Sequence, residues 1–293
     1  MPSAPPRLEA ANDATAPNHA PPGAACLPVL ALSGYGIWAL LGLSLLLGMS
    51  PQTRNGMLAP LALGAVLVGI APLAAGLRLP GFTRWRGWQP GNGNWPTRSA
   101  LIALATWLPM LAVVGLTHGD HRFWITRLAG AVLAVCSLLS VLAATHDDRA
   151  GLGPALQRAT ALLPTCRITA AAFTGGLWLW LSALVQALPD HTHGWALPLL
   201  ILALGLGLLE SGLWQALHEF ETSACPARRQ RTAARVGATL LAYVLPCAAL
   251  LLADTGFALV AAAIAIPGCV AGRMLDRHLY ANALLDARVG VAA

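Results

Sequence analysis

Eight runs of apolar residues, each bounded by polar or charged positions, organise the chain. They cover about residues 27–48, 57–77, 99–116, 128–145, 168–188, 195–217, 236–253 and 256–272. A helix rises about 1.5 Å per residue, so roughly 20 apolar residues cross a hydrocarbon layer about 30 Å thick. A single segment in lipid must be helical, because only a helix satisfies its backbone hydrogen bonds from within. The pattern therefore predicts an all-α integral membrane bundle of about eight transmembrane helices, several of them near the minimum spanning length. Residues 1–26 are rich in Pro, Ala and Asn without apolar periodicity and read as a disordered N-terminal tail, while 27–288 form the helical domain. The tail lacks the basic start, apolar centre and cleavage site of a signal peptide. Arg273 to Arg288 reads as a short amphipathic tail, and no repeat of 20–50 residues is present.

Composition excludes a sizeable water-soluble catalytic domain. The chain is 57% hydrophobic and 10% charged, with a mean hydropathy of +0.64, whereas a soluble domain carries about 25% charged residues. The net charge of +6 comes from arginine alone, with no lysine. In a soluble protein that charge would point to nucleic acid; here it sets topology, and no nucleic-acid partner is expected. With an even number of spans, both termini and the loops after spans two, four and six share one side. That side holds fifteen arginines and the other only three, Arg54, Arg122 and Arg127. The positive-inside rule places the arginine-rich side and both termini in the cytoplasm, with the bundle in a bacterial inner membrane.

Candidate chemistry is sparse. The six cysteines are scattered without a CxxC pair or a Cys/His cluster, so neither an iron–sulfur cluster nor structural zinc is expected in this chain. The eight histidines lie in the tail, in loops or at span ends rather than deep in the spans, which argues against haem b and its paired ligands. Glu210 is the one acid well inside a span. A carboxylate in hydrocarbon is costly, which makes Glu210 a candidate for a proton relay or ligand contact; a span shifted toward its start would instead leave it near the headgroups. The loop from Arg78 to Arg98 sets Arg84, Arg86 and Arg98 among Trp85, Trp88 and Trp95. Its indoles suit the membrane interface, and its arginines suit lipid headgroups, the carboxylates of a partner or a quinone head. Ser33-Gly-Tyr-Gly36 and Thr174-Gly-Gly176 are suited to close helix packing rather than phosphate binding.

Four stretches resemble the membrane-anchor subunits of the dimethyl sulfoxide reductase family, especially anchors of the sulfite-oxidising, polysulfide-reductase-like type. Leu32-Ser-Gly-Tyr-Gly-Ile-Trp-Ala-Leu-Leu-Gly42 is similar to the first helix of that family. The loop through Pro80, Arg84-Trp-Arg-Gly-Trp88 and Asn94-Trp-Pro-Thr-Arg-Ser-Ala-Leu101 resembles its His-Leu-Gly-x-Pro segment and the Trp/Arg/Ser-rich turn that follows. Residues 127–145 and their polar connection resemble the fourth helix and its loop. Gly272-Arg-Met-Leu-Asp-Arg-His-Leu-Tyr280 resembles the closing Gly-x-x-x-Glu-Arg-x-Leu-Phe signature, with Asp276 and Arg277 as its ion pair.

The resemblance implies an anchor that tethers a molybdopterin catalytic subunit and a four-cluster iron–sulfur subunit, and passes electrons between the latter and the quinone pool. It implies docking of those partners on the face bearing the loop after helix two. Arg84, Arg86, Arg98, Arg228, Arg229 and Arg231 are the docking candidates, and Arg78, Trp85, Trp88 and Glu210 the quinone contacts. The chain departs from the family where the quinone-facing histidine aligns with Gly76 and its neighbouring glycine with Arg78. Proton exchange then falls to Arg78 or another side chain, or the chain anchors without quinone chemistry. A secondary transporter and a structural or assembly protein are the rival readings.

Overall fold

The structure is a computed structural model that describes residues 23–49, 54–76, 98–117, 124–150, 152–186, 194, 196–218, 227–252 and 256–292. Among these residues the fold is all-α, without strands. The principal helices are α1 (Gly23–Leu47), α2 (Arg54–Gly76), α3 (Arg98–Ala105), α4 (Trp107–Leu116), α5 (Trp124–Ala150), α6 (Pro154–Ala159), α7 (Leu163–Val185), α8 (Ala196–His218), α9 (Ala227–Thr239), α10 (Leu245–Leu251) and α11 (Ala258–Ala292). A π-helical turn, Leu240–Val244, joins α9 to α10 as one continuous span.

Among the described residues six helices are long and apolar enough to cross a membrane. Helix α2 covers the expected second span, and α3 with α4 cover the expected third, with Gly56–Ile70 and Leu101–Leu116 as their apolar runs. The third is interrupted at Thr106, the junction of α3 and α4. Pro109 cannot donate to the carbonyl of Ala105, and the Thr106 hydroxyl pairs with Ser140 of α5 at 2.8 Å. The expected amphipathic tail after Gly272 is not a separate element; it continues α11 to Ala292. The surface is apolar, with Leu204 68% and Leu208 66% exposed on α8 and Leu108 71% exposed on α4. Such rows face lipid, and the chain is a multi-pass membrane protein.

Helix α1 is the axle, packed against α2, α5, α7 and α11. Its approach to α7 joins the two glycine-rich pieces noted in the sequence. A Cβ on Gly36 would strike the backbone carbonyl of Ala171, and one on Gly175 would lie 2.7 Å from the Gly36 Cα. Gly42 and Gly130 make the same close approach between α1 and α5. In lipid, helix association relies on such van der Waals contact, since tails and side chains are equally apolar. Trp38 fills the centre, fully buried, and its indole N–H donates to the Leu61 carbonyl of α2 at 3.2 Å. At its far end α1 closes in a Schellman motif: Gly48 has φ +70°, its N–H reaches Leu45 O, and Met49 N–H reaches Ser44 O at 2.9 Å.

These contacts separate the glycines by function. Gly36→Val should lower the unfolding free energy in detergent by about 2 kcal/mol or more, because both backbones must part. Gly205→Ala, where nothing lies within 4 Å, should leave it unchanged or slightly raised. Denaturant titration of the purified variants checks the contrast.

Candidate functional site

Glu210 lies on α8, eight residues before its end at His218, or about 12 Å along the axis. The carboxylate is largely buried and fully engaged. Arg273 of α11 donates through Nη1 to Oε1 in a close ion pair. Tyr243 donates its hydroxyl to Oε2 at 2.6 Å, and the Cys166 thiol of α7 lies 3.9 Å from Oε1. Three helical spans thus converge on one carboxylate, which meets the requirement that a charge in hydrocarbon be paired. The Arg273 guanidinium also stacks over the Tyr243 ring, 4.6 Å from its centroid.

Local backbone chemistry brings Tyr243 there. Pro246 has no N–H, so the carbonyl of Ala242 loses its usual helical donor. The chain relaxes into the π turn Leu240–Val244, and the Cys269 thiol of α11 donates to the freed Ala242 oxygen at 3.3 Å. Gly272 lets α11 approach: a Cβ there would lie 2.6 Å from Ala242 N.

One turn nearer the helix ends a second layer forms around Trp214. Its indole N–H donates to Asp276 Oδ1 at 3.3 Å, Arg235 lies over its ring at 4.5 Å, and Tyr280 meets it edge-on at 5.7 Å. Arg277 pairs with Asp148 of α5 at 3.3 Å. This corrects the expected pairing of Asp276 with Arg277. Successive helix residues point about 100° apart, so Asp276 faces α8 while Arg277 faces α5.

Between the two layers lies a small, partly open cavity walled by α1, α7, α8 and α11. Glu210, Arg273, Asp276, Arg277, Tyr280 and Arg167 supply its polar lining, with Val29, Leu32 and Ala170 among the apolar wall residues. Among the described residues no group of three or more His, Cys, Asp or Glu is placed to hold a metal ion.

Of the residues singled out in the sequence, Glu210, Asp276 and Arg277 come together at this cavity. Arg231 lies on α9, four residues before Arg235, and Arg228 and Arg229 lie in the first turn of that helix. Arg98 begins α3. Arg78, Arg84, Trp85, Arg86 and Trp88 lie outside the described residues, as does most of the N-terminal tail. Sequence reasoning missed Arg273, Tyr243 and Cys166 as partners of Glu210, lying 63, 33 and 44 residues away along the chain. The one available signal was that Arg273 is the first charge after the apolar run of the last helix.

Fold and site together define a multi-pass α-helical membrane protein with a buried, cross-helix charge network at one end of its bundle. Comparison with known protein families, curated proteins and solved structures gives no match.

The network should respond to substitution as a unit. Glu210→Gln leaves Arg273 charged and unpaired, and should cost about 3–5 kcal/mol of unfolding free energy. Tyr243→Phe should cost about 1–3 kcal/mol by removing one hydrogen bond to a charge. The double variant Glu210→Leu/Arg273→Leu should be more stable than Glu210→Gln alone. Unfolding in mild detergent, followed by tryptophan fluorescence, measures all three.

Proposed function

We propose that the chain is the membrane-anchor subunit of a molybdopterin/iron–sulfur oxidoreductase. It holds an iron–sulfur subunit and a catalytic subunit on its arginine-rich face and passes electrons between the iron–sulfur subunit and the quinone pool. The observation that carries this reading is the convergence of the arginines on one stitched end of the bundle. Arg167, Arg235, Arg273 and Arg277 gather there through the Arg277–Asp148 and Arg273–Glu210 pairs, the Arg235–Trp214 contact and the shared cavity. Arg127 lies at the other end, beside Gly48.

Cross-helix pairs of buried charges make a rigid platform, which suits an anchor that must hold an electron donor at fixed distance. A transporter core instead must open to both sides around a site near the bilayer midplane, whereas this cavity sits toward one end. The charge rule assigns the platform face to the cytoplasm of a bacterial cell and the bundle to its inner membrane. Quinone contact by Arg78, Trp85, Trp88 and Glu210, and docking through Arg84, Arg86, Arg98, Arg228, Arg229 and Arg231, belong to the same proposal.

Purification of the tagged chain from its native membrane in mild detergent tests it. Stoichiometric co-purification of two larger partners, one carrying molybdenum and one carrying iron, is the expected outcome. Replacing Arg228, Arg229 and Arg231 together with Gln should reduce partner recovery several-fold while leaving the chain in the membrane. A chain that purifies alone and free of both metals would move the assignment to a transporter or an assembly protein.

A further inference from the structure

The cavity has a surplus of hydrogen-bond donors. Arg273, only 6% exposed, uses Nη1 for Glu210, while its Nε and Nη2 are buried without a partner. Those two N–H groups share one edge of the guanidinium and form a fork matched to two oxygens of a single oxyanion. The Tyr280 hydroxyl, on the same wall, is buried and also unpartnered. Arg167 lines the cavity from α7 and has no hydrogen-bond or ion-pair partner among the described residues.

Both oxygens of Glu210 are engaged, by Arg273 and Tyr243, and Asp276 accepts from Trp214 through Oδ1. Counting the network as a whole, Arg167, Arg235, Arg273 and Arg277 face Asp148, Glu210 and Asp276, leaving one positive charge in excess. Unpaired donors and an uncompensated charge are costly away from water. The cavity also sits where α11 passes from its apolar run, Ala258–Gly272, into its polar extension, a pattern that suits the boundary between hydrocarbon and headgroups.

We propose that this cavity is a phosphate-binding site, taking the phosphate of an anionic phospholipid or free phosphate between Arg273, Arg167 and Tyr280. Basic pockets between transmembrane helices near one interface are suited to anionic lipid headgroups. The site stands on its own donors and does not depend on the anchor reading.

The test uses the full chain, stripped of lipid by extended detergent washing. Its thermal midpoint is followed with phosphatidylglycerol or cardiolipin added in mixed micelles, with phosphatidylcholine, and with inorganic phosphate. Native mass spectrometry counts retained lipid. Anionic lipid should raise the midpoint by several degrees and stay bound, while phosphatidylcholine does neither. An equal rise with inorganic phosphate alone supports the same site and assigns it to a soluble phosphate.

Tyr280→Phe is the informative variant. Its hydroxyl has no partner within the chain, so the lipid-free midpoint should be unchanged or higher, while affinity for the phosphate probe falls about tenfold. Arg167→Gln should weaken the same binding by a similar factor. Stabilisation by anionic lipid that survives both substitutions would overturn the proposal by placing the lipid elsewhere. No response to any phosphate probe would also overturn it, as would a short-chain quinone that binds in a Tyr280-dependent manner where phosphates do not.

Discussion

A polar group in hydrocarbon has no water to turn to, and the whole bundle is arranged around that constraint. The commonest solution is local. Ser33, Ser137, Thr145 and Thr174 each return their hydroxyl to the carbonyl one turn earlier, at 2.7–3.0 Å. In several places where a local answer fails, a neighbouring helix supplies one. Trp38 finds the Leu61 carbonyl, Thr106 finds Ser140, and the carbonyl freed by Pro246 finds the Cys269 thiol. The Glu210–Arg273 pair is the most demanding case, and it draws in Tyr243 and Cys166 to complete the carboxylate.

Close packing makes those cross-helix answers attainable. Tyr243 can reach Glu210 because the π turn re-aims its helix and because Gly272 lets α11 press against Ala242. At the other side of the bundle the Gly36–Gly175 and Gly42–Gly130 approaches hold α1 against α7 and α5. Small residues thus set the helix spacing, and the spacing decides which polar partners come within bonding distance. The result is tightly stitched at the arginine-rich end, with a cavity left between the layers.

Much of the architecture was legible in the linear pattern, because a lipid environment imposes an apolar run on every crossing helix. Helical class, the approximate span positions, the concentration of arginine on one side and the unusual position of Glu210 all follow from residue order and the cost of charge in hydrocarbon. The glycine pieces around Gly36 and Gly175 were recognisable as packing residues. Their pairing with each other was not, since any small stripe can face any other.

The charge network was decided by the tertiary structure alone. Arg273 counted in the sequence as one more topology-setting arginine, and Asp276 beside Arg277 looked like a pair. Helix rotation turns those neighbours toward different helices, giving Arg277 to Asp148 and Asp276 to Trp214. Likewise, the Ser140 partner of Thr106 and the packing of the α11 extension through Tyr280, Ala283 and Ala287 come from other helices. Hydropathy is a property of each segment and can be read along the chain. Which face of a segment meets which neighbour depends on helix rotation and spacing, and these are set only when the helices pack.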